Sequence, residues 1–250
     1  MRGAALAAII ALLAGCATEG GREVAPIEAA RANARLGVAY LQQGNLSLAK
    51  EKLERAEKQD PRNAEVQSAL GFLYEQLDRK ADAERRYAQA RRLSPNSGEV
   101  ANTYGVFLCR NGKAPQALRE FEAAARNPLY ATPWAALTNA AVCLRSVQRA
   151  ADAIPYLQQA IHLRPNYAEA VSELADLQLS LGDVQAAGNT VNNYLTLGLG
   201  NPEVLLVGLR AAKAREDNAT VDNYARRLRR DFPNSVQTRA LPQILSDNRD

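Results

Sequence analysis

One pattern of residue sizes recurs every 34 residues in the first half of the sequence, and it constrains the fold more than any other feature. Each copy has a small residue after an apolar one and a large residue three positions later, then a second apolar segment with an alanine and another large residue. The three copies contain Leu36, Gly37, Tyr40, Ala49 and Leu53; Leu70, Gly71, Tyr74, Ala83 and Tyr87; and Tyr104, Gly105, Leu108, Ala117 and Phe121. The spacing within each copy predicts two amphipathic helices joined by a short turn.

The small residues explain how two such helices can pack. Gly37, Gly71 and Gly105 have no Cβ to stand between the helices, so the helices approach closely and the large residues fill the space on either side. A single pair cannot bury its apolar face alone, and the pairs must therefore stack. This pattern resembles the tetratricopeptide repeat, which predicts an all-α tetratricopeptide-repeat superhelix of about six helix-turn-helix repeats.

The repeats can be placed along most of the chain. The six predicted repeats cover residues 30–63, 64–97, 98–131, 134–167, 168–200 and 201–233. The segment from Asn127 to Pro133 interrupts the period, so the fourth repeat begins two residues late, at Trp134. Residues 234–250 are polar and include Pro242, which predicts either a C-terminal cap or a disordered tail.

Composition and motifs argue against catalysis and against nucleic-acid binding. The 31 basic and 27 acidic residues are interspersed and do not form a basic stripe, so no nucleic-acid partner is expected. The one histidine, His162, is predicted at the end of a second helix, and the sequence has no phosphate-binding loop or metal-binding motif. We therefore predict that the protein is not an enzyme and has no catalytic residue, cofactor, metal or small-molecule substrate. The free protein is predicted to be monomeric.

The beginning of the sequence has the pattern of an export signal. Arg2 precedes an apolar run from Ala4 to Ala14, which is too short to cross a bilayer as a permanent helix. The segment Leu13-Ala14-Gly15-Cys16 resembles the lipobox of bacterial lipoproteins, which implies a signal peptide of residues 1–15 and a lipidated, palmitate-carrying Cys16. Ala17 then implies the periplasmic face of the outer membrane of a Gram-negative bacterium. Residues 16–28 are predicted to be a flexible tether. The alternative is an ordinary secretory signal followed by a coincidental cysteine.

Two further cysteines, Cys109 and Cys143, fall on the first helices of neighbouring repeats. Neighbouring first helices pack side by side in this architecture, and an exported protein enters an oxidising compartment. A disulfide between the two residues is therefore geometrically possible. Two buried free thiols are the alternative.

Five residues are predicted to line a groove. In a stacked array, positions 2, 5, 9, 12 and 13 of each repeat face the concave side, and these include Val38, Leu41, Phe72, Asn102 and Val106. The four apolar members would form a stripe on a surface exposed to water. Such a stripe predicts a partner site for a helix or an extended peptide. The alternative is that a neighbouring helix or the tether screens these residues.

A more specific signature is carried by three segments, which run from Asn102 to Gly112, from Asn127 to Pro133 and from Asn139 to Cys143. Together these segments resemble a family, the PilF/PilW lipoprotein pilotins of type IV pili. The resemblance implies an outer-membrane lipoprotein that binds the secretin subunit and promotes its outer-membrane localisation and multimerisation, in support of pilus biogenesis and twitching motility. Cys109 and Cys143 fall where that family carries its paired cysteines.

The fourth repeat departs from the 34-residue repeat pattern, because it has Ala140-Ala141 where the first two repeats have a Leu-Gly pair. A different role for the second half of the chain therefore stays open. So does an alternative function as an outer-membrane repeat adaptor of β-barrel assembly or of peptidoglycan hydrolases.

Overall fold

The computed structural model describes residues 20–246, with side chains from residue 27 onward. Within this range the regular structure consists of thirteen helices and no strands, which confirms the predicted all-α class. The chain divides into two compact bodies, one ending at Leu93 and the other beginning at Ser94. The predicted signal peptide and the predicted lipidation residue Cys16 lie outside the described residues.

The helices pair in chain order into hairpins. The N-terminal body contains α1 (Gly20–Gln42), α2 (Leu46–Gln59), α3 (Ala64–Gln76) and α4 (Lys80–Leu93). The C-terminal body contains α5 (Gly98–Arg110), α6 (Ala114–Ala125), α7 (Pro133–Ser146), α8 (Ala150–Leu163), α9 (Ala168–Ser180), α10 (Val184–Leu195), α11 (Pro202–Ala214), α12 (Asn218–Asp231) and α13 (Val236–Ser246). The first twelve helices make six hairpins, and the turn of each hairpin falls inside one predicted repeat.

Glycine allows the close approach of the two helices in a hairpin. A Cβ added to Gly71 would lie 2.9 Å from the ring of Tyr87, and one added to Gly105 would lie 2.7 Å from Phe121 Cε1. Both aromatic rings are almost fully buried. The large residue of the second helix therefore occupies the space that a side chain on the first helix would need.

The turns of the six hairpins share one backbone conformation. Each turn has one residue with positive φ, between 54° and 83°: Gly44, Asp78, Gly112, Gln148, Gly182 and Glu216. The next residue donates its N–H to a carbonyl five residues back, as Arg149 does to Leu144 (2.9 Å), and so satisfies the end of the first helix. These turn residues are 34 positions apart, except that Gly112 and Gln148 are 36 apart. The predicted two-residue shift therefore lies between the third and fourth hairpins.

The extra residues form a hydrogen-bonded loop before α7. Asn127 accepts the N–H of Leu129 on its Oδ1 (2.9 Å) and donates through Nδ2 to the carbonyl of Asn96 (2.6 Å). Tyr130 is buried beside Gly98, where an added Cβ would lie 2.5 Å from Tyr130 Cβ. The insertion is thus absorbed by packing and hydrogen bonding, and the next hairpin keeps its internal register.

The predicted tether over residues 16–28 is wrong for most of its length, because α1 already begins at Gly20. Extending an existing helix avoids the cost of a new nucleus. Pro26 removes one backbone hydrogen bond, but its fixed φ is helical. None of the helices in residues 20–246 combines the length and the apolar content that crossing a bilayer requires.

The end of the described chain is a cap. Helix α13 packs against α11 and α12 and buries Leu241. Thr238 Oγ1 donates to the carbonyl of Phe232 (2.8 Å), which ties the start of α13 to the end of α12. Of the two alternatives for residues 234–250, the cap therefore holds for 236–246, and residues 247–250 lie outside the described range.

We expect Gln148→Gly to stabilise the protein. A side chain in the left-handed conformation costs about 1 to 2 kcal/mol, and the greater chain entropy that glycine loses on folding offsets part of this gain. The free energy of unfolding, measured by urea denaturation, should rise by up to about 1 kcal/mol. The matched change Gly112→Ala, at φ 76°, should lower it. A less stable Gln148→Gly variant would contradict the conformation assigned to this turn.

Candidate functional site

A cleft between α1 and α3 lies on the predicted groove side of the N-terminal body. Its volume is about 470 Å³, and its lining residues are Arg31, Ala34, Arg35, Val38, Ala39, Gln42, Asn63, Glu65 and Ala69. Val38 is 39% exposed, and Phe72 on α3 is exposed as well. The cleft therefore combines an apolar floor with a rim that carries both signs of charge. It is open enough for a peptide side chain or a helix face to enter.

Leu41 does not belong to this exposed surface, because it is only 8% accessible. Leu41 follows Val38 by three residues, which turns it by about 60° around the helix axis towards the face of Gly37. Gly37 faces α2, where an added Cβ would lie 2.6 Å from Leu53 Cγ. Position 12 of this repeat thus contributes to the core, and the prediction that placed Leu41 in the groove is wrong.

In the C-terminal body, the predicted groove residues Asn102 and Val106 lie half-buried on α5. Asn102 Oδ1 accepts a hydrogen bond from Asn139 Nδ2 on α7 at 2.9 Å. The amide of Asn102 is therefore already engaged within the fold. Val106, one turn further along, is the apolar residue that this part of α5 presents.

A disulfide also links α5 to α7. It joins Cys109 to Cys143, whose Cα atoms are 5.7 Å apart. Cys143 is fully buried, and Cys109 Sγ lies 3.9 Å from Ser146 Oγ. Val106 lies between Asn102 and Cys109 on α5, so a polar link and a covalent link brace the two helices on either side of it.

One residue of the same type, Val142 on α7, is not among the predicted groove residues. It follows Val106 by 36 residues and is 43% exposed, so it continues the series of Val38, Phe72 and Val106 at position 9 of each repeat. The signal that could have found it was in the sequence. It required carrying the period through the two-residue shift into the fourth repeat.

Beyond α7 the same position becomes charged. Asp176 on α9 and Arg210 on α11 take the place of the valines, and Arg210 Nη1 lies 2.6 Å from Asp176 Oδ1. Arg145 on α7 pairs with Asp176 at 3.0 Å and also with Glu173. This network of partly buried ions fixes the three helices to one another. It also ends the apolar series at Val142.

A second cleft, of about 500 Å³, opens between α6 and α8. Tyr156 Oη donates to Glu122 Oε1 at 2.7 Å on its wall, beside Pro155 and Leu137. Burial, and next the hydrogen bond to the Glu122 carboxylate, raise the pKa of Tyr156 to about 12. Tyr156 therefore stays neutral and holds Glu122 in place at any physiological pH.

The residues with catalytic potential are scattered. His162 is exposed in the last turn of α8. Within residues 20–246, no group of three or more His, Cys, Asp or Glu side chains is arranged to hold a metal ion. In the N-terminal body the accessible groove positions carry apolar side chains, and in the C-terminal body they carry apolar side chains and ion pairs, which are the chemistry of protein contact.

Comparison with known proteins identifies the family. The model of the tetratricopeptide repeat matches residues 40–104 and 144–212, more than half of the chain. The chain belongs to the tetratricopeptide-repeat family.

Two known proteins resemble the chain over most of its length. The type IV pilus assembly protein PilF of Pseudomonas aeruginosa is 28% identical over 240 residues, which cover 94% of this chain and 95% of PilF. The solved structure of P. aeruginosa PilF has a TM-score of 0.69 at 27% identity and covers 88% of this chain and 99% of that one. The crystal structure of PilW, described as a type IV pilus biogenesis factor, gives 0.68 at 26% identity, with coverage of 85% and 98%. The predicted resemblance to the PilF/PilW type is confirmed.

We expect the disulfide of this repeat protein to contribute to its stability. Cys109 and Cys143 are 34 residues apart, and closing a loop of that length in the unfolded chain corresponds to about 3 to 4 kcal/mol. The variant with both Cys109→Ala and Cys143→Ala should unfold at a lower urea concentration than the oxidised parent. Dithiothreitol should destabilise the parent and leave the double variant unchanged. A double variant as stable as the parent would show that the link carries no stability.

Proposed function

We propose that this chain is a pilotin of type IV pilus biogenesis. In this role it is a lipoprotein of the outer membrane that binds the secretin subunit and promotes its outer-membrane localisation and multimerisation. The observation that carries the proposal is the similarity to PilF, which extends over 94% of this chain and 95% of that protein. A match of this extent runs along nearly the whole chain, whereas the general repeat model matches only residues 40–104 and 144–212.

Tetratricopeptide-repeat scaffolds are in general non-catalytic modules for protein interaction, and the proposed role needs nothing more. The work of a pilotin is to hold a partner and to bring it to a membrane. A rigid helical surface with exposed apolar side chains performs the first task. A lipid on Cys16 would perform the second.

In our proposal the partner is held on the predicted groove side. Val38 and Phe72 in the N-terminal body are exposed apolar side chains beside an open cleft. Val106 and Val142 in the C-terminal body lie on two helices that are already braced by the disulfide. Because the helices are fixed before binding, a partner segment would not have to order this surface, and binding would cost less conformational entropy.

The start of α1 bears on the proposed anchor. Only three residues separate Cys16 from Gly20, so the chain can extend at most about 14 Å between the lipidated residue and the helix. A lipid on Cys16 would therefore hold the N-terminal body next to the membrane surface. The partner would be captured at the bilayer at which it has to assemble.

The groove is tested by capture of the secretin subunit. We expect full-length protein in detergent to retain the secretin subunit from solubilised envelope, and Val38→Glu and Phe72→Glu to reduce this by about tenfold or more, because each places a charge in an apolar contact. Recovery is measured by quantitative mass spectrometry.

Leu163→Glu is the matched control for that experiment, since Leu163 is also an exposed apolar residue but lies at the end of α8, a second helix, whereas the groove positions lie on first helices. It should capture the secretin subunit as well as the parent does. Equal capture by all variants would contradict the groove. Recovery of barrel-assembly proteins or a peptidoglycan hydrolase by the parent, in place of the secretin subunit, would overturn the pilotin role.

The anchor is tested by Cys16→Ser. This change removes the thiol that would carry the lipid, so the protein should lose labelling by radioactive palmitate and move from the outer-membrane fraction to the soluble periplasmic fraction. Labelling and fractionation are measured on the same cells. If the variant still fractionated with the outer membrane, the anchor would lie elsewhere.

A further inference from the structure

The first helix of the array carries an apolar face that no other described element of the chain covers. One side of α1 carries Ala32, Leu36 and Ala39, and we call this side the end face. Ala32 is exposed, Leu36 is 48% exposed and Ala39 is half-buried. Such a face at i, i+4 and i+7 is the side by which a helix normally packs on a neighbour.

Three of the other repeats bury the same face. In α3 the equivalent residues are Val66, Leu70 and Leu73, and all three are completely buried. The C-terminal body repeats this, with Ala136, Ala140 and Cys143 in α7, and Ala170, Leu174 and Leu177 in α9, all buried. The sequence of α1 therefore keeps an apolar side chain at a position that has no covering neighbour among the described residues.

The fold itself shows what kind of element covers this face. In the N-terminal body, α2 packs on α3 as the second helix of the preceding repeat. It buries Ala56 and brings the Glu57 carboxylate to Gln67 Nε2 of α3, at 3.0 Å. The natural occupant of the end face is thus another amphipathic helix with small apolar residues on one side and a carboxylate at the edge.

The positive charges next to the end face also favour a helix that carries carboxylates. Arg31 and Arg35 are exposed on α1 next to the end face, and neither forms an ion pair with any of the described residues. The two arginines also line the cleft between α1 and α3, so the end face is continuous with the proposed groove. A helix with carboxylates along its edge would pair with them, which favours an acidic partner.

We propose that the end face receives an acidic amphipathic helix of the secretin subunit, which stacks on α1 as the second helix of a preceding repeat would. This inference rests on the proposed function, since it names the partner. It adds a second contact and a binding mode to that function: the groove holds one part of the secretin subunit, and the open end of the array is extended by a helix from it.

The C-terminal end of the chain differs from the first repeat, because a helix covers it. Helix α13 covers α11 and α12 there, buries Leu241 and accepts a hydrogen bond from Lys213 Nζ on the carbonyl of Ile244. The chain thus supplies its own covering helix to the last repeat. Within residues 20–246 it supplies none to the first.

The experiment measures binding of the full-length protein to the purified secretin subunit, both in detergent, by biolayer interferometry. Leu36→Glu should raise Kd by about tenfold or more. The new carboxylate would be buried against the apolar side of a partner helix that itself carries carboxylates. Arg35→Glu should also raise Kd and reduce its dependence on salt. Leu181→Glu is the matched control, since Leu181 is 49% exposed in a turn of the C-terminal body, and it should bind as the parent does. Thermal melting followed by circular dichroism should give one melting temperature for all four proteins.

The contact itself is identified by a photo-crosslinking amino acid at position 36, with the product mapped by mass spectrometry. A crosslink to an acidic helical segment of the secretin subunit is the expected result. If the parent binds the secretin subunit and Leu36→Glu binds it equally well, the end-face proposal is overturned while the proposed function stands. A crosslink to a second copy of this chain would also overturn it. Failure of the parent to bind the secretin subunit at all would instead overturn the proposed function, and the end-face proposal with it.

Discussion

The fit of a large side chain against a helix that has no Cβ at the point of contact sets the geometry of the hairpins. Gly71 against Tyr87 and Gly105 against Phe121 leave less than 3 Å between an imagined Cβ and the ring. This contact fixes how close the two helices come and how each is rotated about its axis. The rotation decides which side chains of the first helix face the core and which face water. The exposure of Val38 is therefore a consequence of the contact at Gly37.

The hairpins could be predicted from the sequence because the information is local. Glycine, alanine and large residues at fixed spacing specify a helix pair without any knowledge of its neighbours, and the period then locates the next one. Predictions that depended on how a side chain is packed in the folded array were less accurate. The side chain of Leu41 lies only about 60° from that of Val38 around α1, and that difference separates the core from the surface. Val142 was missed because the period changes by two residues before it.

The character of position 9 changes along the repeats, from apolar up to α7 to charged in α9 and α11, and this change has a physical meaning. Val38 and Phe72 in the N-terminal body, and Val106 and Val142 in the C-terminal body, are apolar and accessible, whereas Asp176 and Arg210 form an ion pair. Partly buried ions that are already paired offer little to a partner, because breaking them leaves uncompensated charge. The last two hairpins are therefore better suited to holding the structure rigid than to recognition. The disulfide between α5 and α7 gives the same rigidity to the helices that carry the last accessible valines.

The two ends of the array differ in how their outer faces are covered. A terminal repeat is stable and soluble when its outer face is polar or covered, and the chain meets this requirement at its C-terminal end with α13. At the other end Leu36 contributes little to folding, since about half of its side chain is in water in the folded state. A polar residue there would fold equally well and would be more soluble. Isolated exposed leucines are common, but this one lies on a face that the same fold buries in α3, α7 and α9, beside two arginines without partners among the described residues. Packing within the described chain does not account for that combination, whereas a helix arriving from outside does.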